Sequence, residues 1–178
     1  MASELQALLA DGKLAGAWTL DGAKSSVGLS TKSVWNLQKV KGRFTQVTGA
    51  AVISAAGEAT GTITVAAASV DTKVKKRDDH LRSADFFDVG KYPDISASIT
   101  AVTLAGDGEN ATFSGTLTVR DQTRPVTISG KVSAQGTDQI TLDAELPVNR
   151  SDYGLSFNQL NMMSMHNIIT IHAVFTRA

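Results

Sequence analysis

Apolar and polar residues alternate along most of this chain with a period of two, the mark of strands that bury one face. Phe113, Gly115, Leu117 and Val119 alternate with Thr112, Ser114, Thr116 and Thr118. Val126, Ile128, Gly130 and Val132 alternate with Thr127, Ser129 and Lys131, and Ile140, Leu142, Ala144, Leu146 and Val148 with Thr141, Asp143 and Glu145. Ile169, Ile171, Ala173 and Phe175 repeat the pattern near the C-terminus, as do Gly61, Ile63, Val65 and Ala67 upstream. Ile95, Ala97, Ile99 and Ala101 form another set, after which Val102 and Leu104 change phase as a β-bulge would make them. Turn signals separate the runs: Ala56-Gly57-Glu58, Gly106-Asp107-Gly108, Asp121-Gln122-Thr123 and Gln135-Gly136-Thr137-Asp138. With the runs around Trp18–Leu20, Val27–Thr31 and Lys41–Ile53, the pattern predicts about eight strands. Connections this short join antiparallel neighbours.

Two segments break the alternation. Residues 2–10 predict a short helix with Leu5, Leu8 and Leu9 on one side, ended by Asp11-Gly12. Residues from about 73 to 83 predict a second, capped by Asp71 or Thr72, with an Asp78–Arg82 pair four apart and Gly90 and Pro93 beyond it. Two short helices cannot cover the apolar face of about eight strands, so the sheet must cover itself as a sandwich or a closed barrel. Small residues recur at the inward positions: Gly49, Ala51, Gly61, Ala67, Ala97, Ala101, Gly115, Gly130, Ala144 and Ala173. They suggest a barrel with room inside for a guest. A well-filled sandwich with glycines at bends fits the periodicity equally well.

The chain has 178 residues, which suits one domain with a large core. Lys plus Arg and Asp plus Glu number 17 each, so no basic stripe dominates and a nucleic-acid partner is not expected. Cysteine is absent, which removes disulfides and thiolate chemistry. No run approaches the ~18 apolar residues of a membrane span, so no stable membrane insertion is expected. No leader peptide is recognisable, and a cytoplasmic protein is the expectation, although a mature secreted form given a new start Met would look the same.

Several motifs stand in a characteristic order. They are Trp18-Thr19-Leu20-Asp21 with Ser25-Ser26-Val27-Gly28-Leu29, and Lys39-Val40-Lys41-Gly42-Arg43-Phe44. The most specific runs from Arg77-Asp78-Asp79-His80-Leu81-Arg82-Ser83 through Ala84-Asp85-Phe86-Phe87-Asp88 to Lys91-Tyr92-Pro93. Gly115-Thr116-Leu117-Thr118-Val119-Arg120 and Asn149-Arg150-Ser151-Asp152-Tyr153-Gly154 follow. From about Ala17 to its C-terminus the chain resembles the YceI-like family. The resemblance implies an all-β fold, a closed antiparallel lipocalin-like barrel, with residues 1–16 as an extension and 17–178 as the barrel domain. It implies a long internal tunnel for a polyisoprenoid chain, such as a polyprenyl or quinone tail, and family members are often homodimers and often periplasmic. One departure lies before the last strand, where the family commonly carries acidic residues and Ser164-Met165-His166-Asn167 stand instead.

Candidate ligand-binding residues fall in four groups. Arg77 and His80 could meet a polar headgroup at the barrel mouth; alternatively Arg77, Asp78 and Asp85 pin the helix to the strands. Trp35, Leu37, Phe86, Phe87, Tyr153, Leu155 and Phe157 are candidates to line or plug the mouth, against ordinary core packing. Met162, Met163 and Met165 form an adaptable apolar set, suited to a pocket, a dimer contact or loop filling. Phe44, Phe113, Leu117, Ile128 and Leu142 are large inward positions. His80, His166 and His172 lack ligand spacing, so no metal is expected, and His172, alternating with Ile171 and Ala173, should face solvent. No Gly-x-Ser-x-Gly elbow or phosphate-cradling loop is present, and Asp78 and Asp79 diverge on their helix. No catalytic residue and no cofactor are therefore assigned.

The leading expectation is a non-enzymatic module that sequesters, stores or transports an isoprenoid lipid or a quinone-like small molecule. Apolar burial is non-directional, so chain length and width would be selected more sharply than the headgroup. The rival is a structural or stress-related interaction protein whose barrel is filled by its own side chains. Ala144→Leu would overpack such a barrel, whereas an open one would tolerate it and lose lipid uptake. An enzyme acting on a bound prenyl compound is a weaker third reading.

Overall fold

Thr, Ser and β-branched residues on a two-residue period give eleven strand segments among the described residues, and closure of their sheet buries the apolar face that the two helices could not cover. The computed structural model describes residues 3–33, 38–157 and 163–178. The strands are β1 (Gly16–Leu20), β2 (Ser26–Ser33), β3 (Gln38–Phe44), β4 (Val47–Ile53), β5 (Ala59–Ala66) and β6 (Val70–Asp71). They continue with β7 (Asp94–Leu104), β8 (Asn110–Val119), β9 (Gln122–Gln135), β10 (Gln139–Asn149) and β11 (Met163–Arg177). Helices α1 (Glu4–Ala10) and α2 (Lys75–Arg82) lie outside the sheet.

The segments pair into eight antiparallel staves, because β1 with β2, β3 with β4, and β5 with β6 each act as one interrupted strand. β4 pairs with β1 and β3 with β2, then β5 with β4 and β6 with β3. From β5 the order runs through β7, β8, β9 and β10 to β11. The long β11 closes the barrel by pairing with β2 through its first part and with β1 through its last. Every stave follows its neighbour in sequence, as the short turns predict.

The breaks are built by particular side chains. Between β1 and β2, Asp21 Oδ1 accepts the backbone N–H groups of Ala23 and Lys24. Ser25 Oγ accepts the Val174 N–H at 2.9 Å, standing in for a ladder carbonyl. Between β3 and β4, Ser69 binds Thr45 and Gln46 through its carbonyl and hydroxyl oxygens. The expected bulge in β7 lies between Ile99 and Ala101, where the register to β8 shifts. The phase change comes one residue earlier than the pattern suggested, so Ala101 is exposed rather than inward.

The two ends of the barrel are finished differently. At one end, α1 carries a capping box, with Ser3 Oγ accepting the Gln6 N–H and Gln6 Oε1 accepting the Ser3 N–H. Leu5 packs there with Leu14, Trp18, Ile53, Ala134 and Ile140 in a closed apolar cluster. Trp18 is 1% exposed; its indole N–H donates to the Leu14 carbonyl at 2.9 Å and the Arg177 guanidinium stacks over its ring. The other end is covered by two chain segments, residues 72–93 with α2 and residues 150–157 with a 3₁₀ turn (Arg150–Tyr153).

Candidate functional site

The inward side chains of the α2 half do not meet across the barrel. They enclose a cavity of about 550 Å³ with an almost wholly apolar wall. β2 contributes Val27 and Leu29, β5 contributes Ile63 and Val65, and β11 contributes Ile169 and Ile171. Val40, Ile95, Leu146 and Val148 add further aliphatic surface. None of Trp18, Leu14, Leu5, Ile53 or Ile140 lines it, so the wall ends before the α1 cluster. The barrel is neither packed solid from end to end nor open as a through tunnel. Its solvent side is marked by Val74, 46% exposed, together with Lys76 and His80, all of which line the cavity.

The small inward residues do not create this space. Of the ten singled out in the sequence, Ala97 alone lines the cavity. A Cβ on Gly49 would stand 2.7 Å from the Thr62 carbonyl oxygen, one on Gly61 2.8 Å from that of Ala50, and one on Gly130 2.5 Å from that of Asp143. A Cβ on Gly115 would collide with the Ser98 carbonyl. These glycines allow close approach of neighbouring backbones.

The cover over the cavity is fastened through Thr72. Asp78, 6% exposed, accepts the Thr72 N–H at 2.9 Å and the Thr72 hydroxyl at 2.5 Å. Arg77 Nε donates to Thr72 Oγ1 at 2.7 Å and Arg77 Nη2 to the Thr72 carbonyl at 2.8 Å. Arg82 reaches back to the carbonyls of Ala68 and Val70. Neither Asp71 nor Thr72 caps α2: its N-cap is Val74, without a side-chain cap. The Asp78–Arg82 pair is also absent, because Asp78 faces inward; Arg82 pairs with Asp79 at 3.1 Å, and Lys75 with Asp79 at 2.8 Å. The hydrogen bond from Lys75 holds the Asp79 carboxyl below its ordinary pKa.

The second cover is built around Asn149-Arg150-Ser151-Asp152-Tyr153-Gly154. Asn149 Oδ1 accepts from the Ser151 N–H and hydroxyl, and Gly154 ends the turn at φ 79°. Arg150 is 8% exposed and donates to three carbonyls: Ser164 at 3.0 Å, Leu155 at 2.6 Å and Phe157 at 2.7 Å. Burial pushes its pKa down from the ordinary guanidinium value and that of Tyr153 up from the ordinary phenol value. The two covers meet in an aromatic seam. The His80 ring stands edge-on to Phe86 and Phe157 at centroid distances of 5.1 and 5.0 Å, and the Arg150 guanidinium lies 5.5 Å over Phe86. His80 Nε2 is 2.8 Å from Asp85 Oδ2.

The candidate residues divide accordingly. Phe44, Arg77, His80, Phe86, Phe87, Leu117, Ile128, Tyr153 and Leu155 line the cavity. Phe113 and Leu142 do not; they pack in the core beyond it. Phe157 joins the seam without lining the wall, and Met165 is half-buried away from it. Trp35, Leu37 and Met162 lie outside the described residues, as does the side chain of Met163. His172 is on the outer surface, 2.6 Å from Asp143 on the neighbouring strand. No group of three or more potential metal ligands occurs among the described residues. No helix among them is long and apolar enough to cross a membrane.

Sequence reasoning missed Arg150, Thr72, Asn167 and most of the aliphatic wall. The wall was legible as the inward phase of β2, β5 and β11, but the aromatics drew the choice. Arg150 follows a strand, where a charge ordinarily reads as solvent-facing.

Comparison with known proteins places these features in a wider set. The model of the YceI-like domain family matches residues 18–176. Protein YceI of Escherichia coli O17:K52:H18 is 42% identical over 76 residues, 43% of this chain and 39% of that protein. Protein YceI of Salmonella arizonae is 33% identical over 99 residues, 53% of this chain and 51% of its own. The chain thus spans between two fifths and a half of the length of these curated relatives. Among solved structures, Burkholderia cenocepacia BcnA superposes with a TM-score of 0.78 at 26% identity, covering 87% of this chain and 98% of the other. A polyisoprenoid binding domain from Saccharophagus degradans superposes with a TM-score of 0.75 at 19% identity, covering 90% and 98%, and shares the fold.

Proposed function

The chain belongs to the YceI-like domain family, and from that premise we propose that it holds one apolar chain, isoprenoid in character, in the α2 half of its barrel. Carriage, storage or sequestration is its role, and no chemical step is assigned to it. The observation that carries this reading is the cavity of about 550 Å³ bounded by aliphatic and aromatic side chains. Without an apolar occupant the wall forfeits packing contacts on its inner face. An apolar occupant recovers those contacts, at about 0.8 kcal/mol per buried methylene. The fold shared with the Saccharophagus degradans polyisoprenoid binding domain agrees with a chain-like guest.

The volume bounds the guest. The cavity is large enough for several isoprene units. A longer polyprenyl or quinone tail would leave its remainder at the mouth by Val74 and Lys76. The outer faces of β5, β7, β8 and β9 present threonine and serine rather than the apolar band of a membrane barrel, which suits a carrier that works outside the bilayer.

Organic extraction of gently purified protein, followed by mass spectrometry, tests the reading. An isoprenoid chain is expected in about equimolar amount. A clean extract, combined with no uptake of added geranylgeraniol, would end it.

A further inference from the structure

The ionisable side chains that line the cavity are Lys76, Arg77, His80, Arg150 and Tyr153, and no aspartate or glutamate lines it among the described residues. The two nearby acids are turned away: Asp78 is held by Thr72, and Asp85 sits against His80 without lining the wall. The wall therefore carries basic side chains and no carboxylate among the described residues, beside a few neutral polar groups such as Ser96 and Asn167.

Arg150 is the group least served by its surroundings. It is 8% exposed, and its three hydrogen bonds go to neutral carbonyls. Its Nη2 has no acceptor, and no carboxylate pairs with it among the described residues. A buried cation held only by neutral groups keeps a desolvation cost that an anion would offset. Nε and Nη1 are already committed, so an anionic oxygen would be received at Nη2, and hydrogen bonds between ions are the strong ones. Lys76, exposed at the mouth, would draw the same charge inward.

We propose that the cavity takes amphiphiles with an acidic head, a carboxylate or a phosphate on an apolar chain, and that Arg150 receives the head. This rests on the chain-binding reading above and adds the headgroup, which apolar burial alone does not select. Either oxyanion satisfies the chemistry, and the two are separated below.

The test holds the chain constant and varies the head. Geranylgeranic acid, geranylgeranyl phosphate, geranylgeraniol and the parent hydrocarbon compete for the 178-residue chain against a fluorescent apolar-chain probe. The acid, the phosphate or both should displace the probe at concentrations at least tenfold below the alcohol and the hydrocarbon, and the stronger of the two names the head. Arg150→Met should abolish the preference, while Arg150→Lys should keep part of it. Equal displacement by all four compounds overturns the headgroup proposal and leaves the chain-binding reading standing. Displacement by none overturns both. A preference that survives in a folded Arg150→Met protein overturns the role of Arg150. Should that variant fail to fold, the four-compound series on the unaltered protein still decides the proposal.

Discussion

The two halves of this barrel are made from the same strands and have opposite interiors. In the α1 half, glycines and alanines bring the backbones together around Trp18, Leu20 and Phe113, and the centre is full. In the α2 half, Val, Leu, Ile and Phe line the wall and the centre is open. The small inward residues that the pattern singled out thus lie off the cavity wall, Ala97 excepted, while mostly larger ones line it. Side-chain size at an inward position does not measure the space in front of it. A glycine lets the neighbouring strand move in; a ring of branched side chains holds the wall apart, because close-packed atoms cannot interpenetrate.

The largest expected effect comes from the filled half. Trp18→Ala removes the centre of the α1 cluster and should cost about 3–5 kcal/mol, read as a lower urea midpoint. Chain uptake per folded molecule should not change. Ala144→Leu should cost about 1–3 kcal/mol by overpacking, because Ala144 faces Gly130 with a Gly130 Cβ only 2.8 Å from its own. Uptake should again be unaffected, since Ala144 does not line the cavity. The sequence had made this same variant a test of the cavity, and the structure moves it to the other half.

The cover should respond in rate as well as stability. Thr72→Val strips Asp78 of a buried hydroxyl donor and Arg77 of its acceptor, at about 1–3 kcal/mol. The bound chain should then leave faster in stopped-flow transfer to vesicles. The smallest effect on stability is expected for Ala97→Phe, which grows into the open half. Its thermal midpoint should stay within a few degrees of the parent while chain uptake falls severalfold. A large loss of stability in that variant, with uptake intact, would erase the contrast between the halves.

Much of the fold was legible because alternation fixes which face of a strand is buried, and the short turns fix antiparallel neighbours. The β7 bulge could be read from the phase change between Ile99 and Val102. Distance was not legible. Periodicity places Gly115 inward but says nothing of the Ser98 carbonyl beside it. On α2, a rotation of one residue separates an inward Asp78 from an outward Asp79, and the pattern does not resolve it. Alternation also stops at Asn149, so nothing in it shows that the next residue turns back under the cover. The aromatics of Ala84-Asp85-Phe86-Phe87 were identified as lining candidates, whereas their partner in the seam, Arg150, was quoted and passed over.

Closure by β11 ties together residues far apart in the chain, Trp18 with Arg177 and Val27 with Ile171. The staves before it can form one hairpin at a time, but this seam must await the last strand to emerge during synthesis. Until then the nascent sheet has two unpaired edges and an uncovered greasy interior, the state in which chains stick to one another. Folding should accordingly be slow for the size of the molecule, and a lipid present at that moment could be enclosed as the seam shuts rather than threaded in afterwards.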